Sequence, residues 1–253
     1  MTVIATPCAL RDIEAFRDIY RLEMGCQIIH DSIHGRPGWT REFFLACDKT
    51  PVGYGSLAVG GPWQHEPTLY EFFVIRPYRL RLFEFFRALQ QTCEIRRIET
   101  QSNDTLLTNI LFTFASTVNS EAILFHDAAA TSLVQPDATL RRSEPRDVSA
   151  MAKAELDPDA GWVLERHDSI VAAGDVLYHY NRPYGDIYMK VAEAYRRQGL
   201  GAFLVQELKK ICYAGGSVPS ARCNVQNVAS RCTLQKAGFV PCAHILVGKF
   251  SEQ

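Results

Sequence analysis

Apolar residues along the chain fall into two successive rounds of one pattern. Leu82, Phe83, Phe85, Phe86 and Leu89 recur at three- and four-residue spacings in the first round, and Leu200, Phe203, Leu204 and Leu208 do so in the second. Such spacing gathers apolar side chains on one face, so each round predicts a helix packed on a core. A strand-like run precedes each helix, Leu69–Phe73 and Ile187–Lys190, followed by the linking stretches Val74–Arg79 and Val191–Arg196. Further upstream each round reads as a hairpin. In the first, Glu42–Cys47 and Val52–Val59 flank the turn Asp48–Pro51; in the second, Trp162–Arg166 and Ile170–Tyr178 flank His167–Ser169. Turn-forming polar residues between β-branched and aromatic ones carry both hairpins. Downstream, each round has a strand ending in a polar tract with Asn, Ile98–Asn103 and Ala221–Asn227, and then a helix.

The shared order is helix, three strands, helix, strand, helix, strand. It predicts an α/β fold, a mixed central sheet flanked by helices, in two related domains. Residues 1–135 form the first and 139–253 the second, joined near Gln135-Pro136-Asp137-Ala138. Few residues are identical between the rounds, so the repeat lies in the elements.

Composition narrows the class without naming a function. Hydrophobic residues make up 47% and charged residues 22% of the 253, the balance of an ordinary soluble globular protein. Net charge is −1, with no long basic run, which argues against general nucleic-acid or anionic-membrane binding. The start, MTVIATPCALRDIEAF, lacks the basic and apolar regions of a signal peptide, and no stretch has the ~18–20 apolar residues of a membrane span. Eight cysteines without a C-x-x-C pair read as reduced thiols packed as small hydrophobes, and the expected location is cytoplasmic.

The second round carries the specific chemistry. A strand ending at Val191 leads through a short connection to Arg196-Arg197-Gln198-Gly199-Leu200-Gly201-Ala202, which opens the amphipathic helix. First-turn N–H groups lack intrahelical partners, and the helix dipole puts partial positive charge there. Glycines let a pyrophosphate approach those groups, and Arg196, Arg197 and Gln198 add side-chain donors. A dinucleotide fingerprint would need glycine at Leu204, and a Walker loop would need Gly-Lys-Ser/Thr; neither is present.

Arg196 through Gly201 matches R/Q-x-x-G-x-G/A, and Asn227 through Gly238-Phe239 matches an Asn-led helix ending in Gly-Phe. In these two motifs the second round resembles the GNAT superfamily of acyl-CoA-dependent N-acyltransferases, over roughly residues 139–250. The first round resembles a degenerate copy. The internal alignment puts Leu82 and Glu84 where Gly199 and Gly201 stand, which predicts one cofactor site per chain and a structural or acceptor-shaping role for the first domain.

The resemblance implies direct transfer of an acetyl group from acetyl-CoA to an amine, without a metal. It implies that the pantetheine arm lies between splayed strands against the backbone of Met189, Lys190 and Val191, where a peptide N–H near Met189 would polarise the thioester carbonyl. It makes Asn224 and Asn227 candidates for pantetheine contacts and Ser230 for the phosphate or arm; Asn227 and Ser230 also fit helix caps. The tandem layout implies a small-molecule amine as acceptor. Asp186, Tyr188 and Glu165 are the candidates for proton transfer, and the sequence does not choose among them. Many relatives carry a tyrosine seven positions after the Asn to protonate the leaving thiolate; here that residue is Leu234, leaving Tyr188, Cys232 or water.

Other clusters weigh less. His30 and His34 have a zinc-like spacing but no adjacent glutamate, and the following Gly-Arg-Pro-Gly predicts a surface or substrate-entry loop. Gly60-Gly61-Pro62-Trp63 and Glu99–Asp104 read either as acceptor-pocket residues between the domains or as turns and a helix cap.

Overall fold

A computed structural model describes residues 1–28 and 31–250. The chain divides into two compact units, Met1–Ala122 with the chain from Ala243 onward, and Ile123–Cys242. The first unit holds β1 (Val3–Cys8), α1 (Leu10–Met24), the short α2 (Asp31–His34), β2 (Thr40–Cys47), β3 (Thr50–Ala58), β4 (Thr68–Val74), α3 (Leu82–Thr92), β5 (Arg97–Gln101), α4 (Thr105–Phe114) and the start of β6 (Thr117–Asp127). The second holds the rest of β6, then β7 (Ala138–Arg142), α5 (Val148–Lys153), β8 (Trp162–Arg166), β9 (Ser169–Leu177), β10 (Tyr184–Val191), α6 (Leu200–Ala214), β11 (Val218–Asn224), α7 (Val228–Lys236) and the start of β12 (Phe239–Lys249). Strand order is β1-β2-β3-β4-β5-β12 in the first unit and β6-β11-β10-β9-β8-β7 in the second. Each sheet is mixed, with β4–β5 and β10–β11 parallel.

The repeat extends to backbone detail. Asp48 and Lys49, and likewise His167 and Asp168, take positive φ (46° and 71°; 48° and 56°), the two-residue turn whose twist matches a hairpin. In each hairpin the register slips by one residue just before that turn, at Leu45/Ala46 and at Leu164/Glu165. Pro51, expected in the turn, therefore lies within β3, beside the slip that tolerates its missing N–H. Gly55 on β3 and Gly174 on β9 face the following helices. A Cβ there would stand 2.7 Å from Leu89 of α3 and 3.1 Å from Leu208 of α6.

That contact aligns Leu89 with Leu208, and the buried triplet Phe85, Phe86, Leu89 with Leu204, Val205, Leu208. Leu80 and Leu82, instead of Leu82 and Glu84, then occupy the places of Gly199 and Gly201. The preceding strands align through Gly53–Val74 and Ala172–Val191. Ten residues separate Val74 from Phe85, and twelve separate Val191 from Leu204. The connection into α6 is two residues longer, which is why a gapless reading misplaced the helix.

Both units are built on such helices. Leu204, Val205, Leu208 and Cys212 pack with Ile187, Ala221 and Phe239, while Phe85, Phe86 and Leu89 pack with Leu45, Leu69 and Phe72. Each side chain of this size contributes about 1.5–3 kcal/mol by burial.

Two features differ from the sequence reading. Each round begins with an edge strand, β1 or β7, with too few buried positions to show a period. The division does not fall at Gln135–Ala138, which lies within the second unit. It falls inside β6 and β12, because Ile245–Lys249 of β12 pair antiparallel with Arg97–Gln101 of β5. Hydrophobic periodicity marks a strand but says nothing of which round it pairs with.

Candidate functional site

β10 and β11 pair from Tyr184–Val218 to Ile187–Ala221 and no further, although β10 continues to Val191 and β11 to Asn224. On its other edge β10 keeps its ladder with β9 through Val191. The free edge of Tyr188–Val191 thus faces a gap, and a cavity of about 980 Å³ opens beside it. Met189, Lys190 and Val191 form one wall; Gly199–Ala202 at the start of α6, with Asn227 and Ser230 at the start of α7, form others. Two helix N-termini therefore meet one cavity, a combination that favours an anion. The lining charges agree: Lys190, Arg196, Arg197 and Lys236 against the single carboxylate of Glu193.

The turn depends on its glycines for different reasons. Gly199 has φ +82°, open to glycine at no cost, and it caps α6. At Gly201 a Cβ would stand 3.2 Å from Met189 Cε and Thr233 Cγ2 and 3.3 Å from Val191 Cγ2. That glycine lets α6 close on β10 and α7, so its role extends beyond ligand approach. Arg196 donates from Nε to the Val191 carbonyl at 3.3 Å, which ties the turn to the end of β10.

Of the thirteen residues expected at a cofactor, eleven line the cavity; Gln198 and Asn224 do not. The Gln198 side chain accepts from Arg166 at 2.8 Å, and Asn224 Oδ1 accepts from the Gln226 N–H at 2.9 Å, closing a turn. Asn227 caps α7, accepting from the Ser230 N–H at 3.0 Å, and also faces the cavity. On α7, sequence reasoning missed Ala229, Thr233 and Lys236, and took Cys232 only as a proton donor to the leaving thiolate. Their three- and four-residue spacing puts them on one face of α7, a signal the helix starting after Asn227 already carried. Leu234 is buried in the core, leaving no hydroxyl at that position.

None of the three proton-transfer candidates lines the cavity. Ile187 packs towards α6, so alternation puts Asp186 and Tyr188 on the opposite face of β10. Tyr188 packs there with Met151 and Leu156 and donates to Asp157 at 2.9 Å. Burial and that hydrogen bond push its hydroxyl pKa well up. Asp186 lies one residue before the last β10–β11 pair. Its side chain is 5% exposed, one oxygen is 3.3 Å from Arg222 Nε, and the other has no hydrogen-bond partner among the described residues. Burial raises its carboxyl to about 6 against the pull of Arg222. Arg222 in turn stacks on the Tyr180 ring at 4.6 Å. Glu165 accepts from Arg141 at 2.7 Å, while the same guanidinium grips Asp147 at 2.6 and 2.9 Å.

The first unit has the corresponding strand split in another condition. β4 and β5 pair only at Thr68–Arg97 and Leu69–Ile98. Beyond them Gln101 accepts from the Ile28 N–H at 3.2 Å and returns a hydrogen bond to the Ile28 carbonyl. The space left beside Tyr70 and Gln101 is about 10 Å³, at the limit for one water. Glu84 pairs with Arg81 at 2.6 Å on the first turn of α3.

Nearby, Glu71 is 1% exposed and receives two hydrogen bonds of 2.9 Å from Arg17. His34, expected on a surface or entry loop, is instead buried in α2, with ring nitrogens 3.2 Å from Glu42 and 3.3 Å from Glu71. Its supposed partner His30 lies outside the described residues. Among the described residues no group of three or more His, Cys, Asp or Glu could hold a metal ion. Gly60 and Gly61 pack against the Trp39 ring, and Asp104 caps α4 through the Leu106 and Leu107 N–H groups.

The acetyltransferase (GNAT) family model matches residues 128–239. Among solved structures, a GNAT-family acetyltransferase from Colwellia psychrerythraea aligns with TM-score 0.76 and 14% identity, over 99% of this chain and all of that one. A tandem GNAT protein from the clavulanic acid biosynthesis pathway, without AcCoA, aligns with TM-score 0.66 and 12% identity over the whole of both chains. A GCN5-related N-acetyltransferase from Sphaerobacter thermophilus gives 0.63 and 14% over 98% and 95%. No curated protein matches the chain. These likenesses show the fold, and the family match adds the identity of the segment around the cavity: residues 128–239 are a domain of the GNAT acetyltransferase family, within a chain that has the tandem GNAT fold over its whole length.

Proposed function

We propose that this protein transfers an acetyl group from acetyl-CoA to the amino group of a small molecule, using one cofactor site in its second unit. The observation that carries the reading is the end of β10–β11 pairing at Ile187–Ala221, beside a cationic cavity that two helix N-termini enter. The pantetheine arm fits the free edge of Met189–Val191, and the pyrophosphate fits the turn from Arg196 to Ala202. The Met189 N–H is the donor we assign to the thioester oxygen as it gains charge.

The amine attacks the thioester carbon, the thiolate of coenzyme A departs, and the amine's proton must leave. Asp186 fits that task best of the three candidates. It sits beside the split, and a carboxyl of pKa about 6 is ionised yet basic near neutral pH. Tyr188 holds its proton too tightly to act as a base, and Glu165 is committed to Arg141. With Leu234 in the tyrosine position, the departing thiolate takes its proton from solvent; a thiol of pKa about 8.5 needs little help. Asp157, Asp175 and Asp186 put acid on the face carrying Tyr188, which favours a cationic amine. The full-length likeness to a tandem GNAT protein of a biosynthetic pathway favours a small acceptor. Eight free cysteines fit a cytoplasmic setting.

Calorimetric titration with acetyl-CoA, followed by a thiol-release assay over a panel of amines, tests the reading. One site per chain with release of thiol from an amine is the expected result. Binding without release would favour an acyl-CoA sensor, and no binding would remove the assignment of the turn.

A further inference from the structure

Residues 128–137, which lead into β7, lie along α6 like a strap. Lys209 donates to the Ala129 carbonyl at 2.7 Å. Nearer the start of the helix, the buried Gln206 accepts from the Thr131 hydroxyl at 2.8 Å and the Leu133 N–H at 2.7 Å, and donates to the Leu133 carbonyl at 3.1 Å. The strap ends in a turn through Pro136, closed by the Ala138 N–H on the Gln135 carbonyl at 3.1 Å. There the Gln135 side-chain amide reaches the phosphate turn and donates to the Gln198 carbonyl at 3.0 Å. From β8, Arg166 holds the Gln198 side chain at 2.8 Å. Ala138, three residues after Gln135, is the cross-strand partner of Arg166, so both clamps come from one end of the β7–β8 pair.

Gln198 sits between two residues with positive φ, Arg197 at 63° and Gly199 at 82°. For Arg197 that conformation costs about 1–2 kcal/mol and needs support from outside the turn. A trans peptide is planar, so pinning the Gln198 carbonyl also pins the Gly199 N–H, which points the opposite way in the same plane. The absent side chain of Gly199 matters here too, since a Cβ would stand 3.0 Å from Gln135 Nε2. One glycine thus accommodates the strap on one side and borders the cavity on the other.

We propose that Gln135 is a positioning residue for coenzyme A: through the Gln198 peptide it holds the Arg196–Gly201 turn in the shape that receives the pyrophosphate. Gln135 does not line the cavity, so its effect passes through the turn. The inference rests on the acyl-CoA reading above. It also predicts a dependence on phosphate, because only the phosphate-bearing part of the donor meets this turn.

The test compares wild type, Gln135→Ala, Gln135→Glu and Thr131→Val. Calorimetry with coenzyme A is paired with steady-state kinetics on acetyl-CoA and on S-acetylpantetheine, which carries no phosphate. Losing the hydrogen bond in Gln135→Ala should raise Kd and the KM for acetyl-CoA about five- to tenfold. kcat should stay within about twofold, since the reacting atoms are untouched. Gln135→Glu should weaken binding at least as much, and kcat/KM with S-acetylpantetheine should not change in either variant. Thr131→Val loosens the strap away from the turn, so it should lower Tm and leave Kd as in wild type. Gln135→Ala binding coenzyme A like wild type would overturn the inference, as would an equal loss with S-acetylpantetheine. Wild type failing to bind coenzyme A would remove the underlying reading itself, a different and recognisable outcome.

Discussion

The two units split the same pair of parallel strands and do opposite things with the gap. In the second unit the gap opens on a cavity of about 980 Å³; in the first, Gln101 and the backbone of Ile28 close it to about 10 Å³. The helices that follow differ by two residues in their connections, ten against twelve. The longer one carries the Arg196–Gly201 turn, while the shorter one brings Leu82 to the place of Gly201. Closing the gap between these strands therefore needs no change in the sheet. A shorter loop, a bulky residue at a helix start and one well-placed glutamine suffice.

The faces opposite those helices differ as well, and the largest expected effects lie there. By register, Glu71 on β4 corresponds to Tyr188 on β10, opposite Ser56 and Asp175 respectively. Burial alone would raise the Glu71 carboxyl; the Arg17 guanidinium and His34 hold it well below the usual carboxylate range. Asp186, with one oxygen unpartnered, is instead held high. Asp186→Asn should lower turnover about 10²–10⁴-fold, the span typical of a lost general base. In wild type, kcat/KM should rise with pH through about 6 as that carboxyl ionises, and the variant should lack this limb. A pH–rate profile showing the same limb in both proteins would end the assignment. For stability the sign is reversed. A raised carboxyl binds its proton more tightly when folded, so its contribution declines as pH climbs from 3.8 to about 6.

Glu71→Gln takes from buried Arg17 its buried counter-charge, leaving only the part-exposed Asp31 at 2.7 Å, and should cost about 3–5 kcal/mol in denaturant melts. Its coenzyme A affinity should stay at the wild-type level; a parallel loss of binding would mean the first unit is no bystander. Gly201→Leu makes the second unit resemble the first. Crowding against Met189, Val191 and Thr233 should weaken coenzyme A by roughly one to two orders of magnitude, about 1–3 kcal/mol. Unchanged calorimetry in a folded variant would detach the turn from the cofactor. Glu84→Gly should do least. The residue is exposed beside Arg81, and titration should still give one site of unchanged affinity.

Much of this arrangement is legible in the sequence, for reasons that also explain the gaps. Helix α6 and its counterpart α3 announce themselves because a buried face repeats every three to four residues. The turn at Arg196–Gly201 is legible because an arginine three residues before the first glycine, and a strand before both, add to a Gly-x-Gly pair that alone fits any tight turn. The two-residue offset is invisible without the contact of Leu89 and Leu208 on their glycines, since either alignment keeps an apolar face. Gln198 and Asn224 carry suitable side chains, but the direction a side chain takes from a turn is set by φ and by partners such as Arg166. The edge strands β1 and β7 bury too little to leave a period, and pairing over long range leaves no local mark at all.

That last kind of pairing sets an order of assembly. The partner of β5 in the first unit is the stretch Ile245–Lys249, about 150 residues further along the chain. During synthesis the edge of β5 therefore waits, at ribosomal speeds, for roughly ten to thirty seconds after it emerges. Through that interval it is an unpaired edge open to the wrong neighbour. The unit made first is the one finished last. A nascent chain stalled near Cys242 would hold every residue of the unit with the cavity, yet still lack the closing strand of the unit synthesised before it.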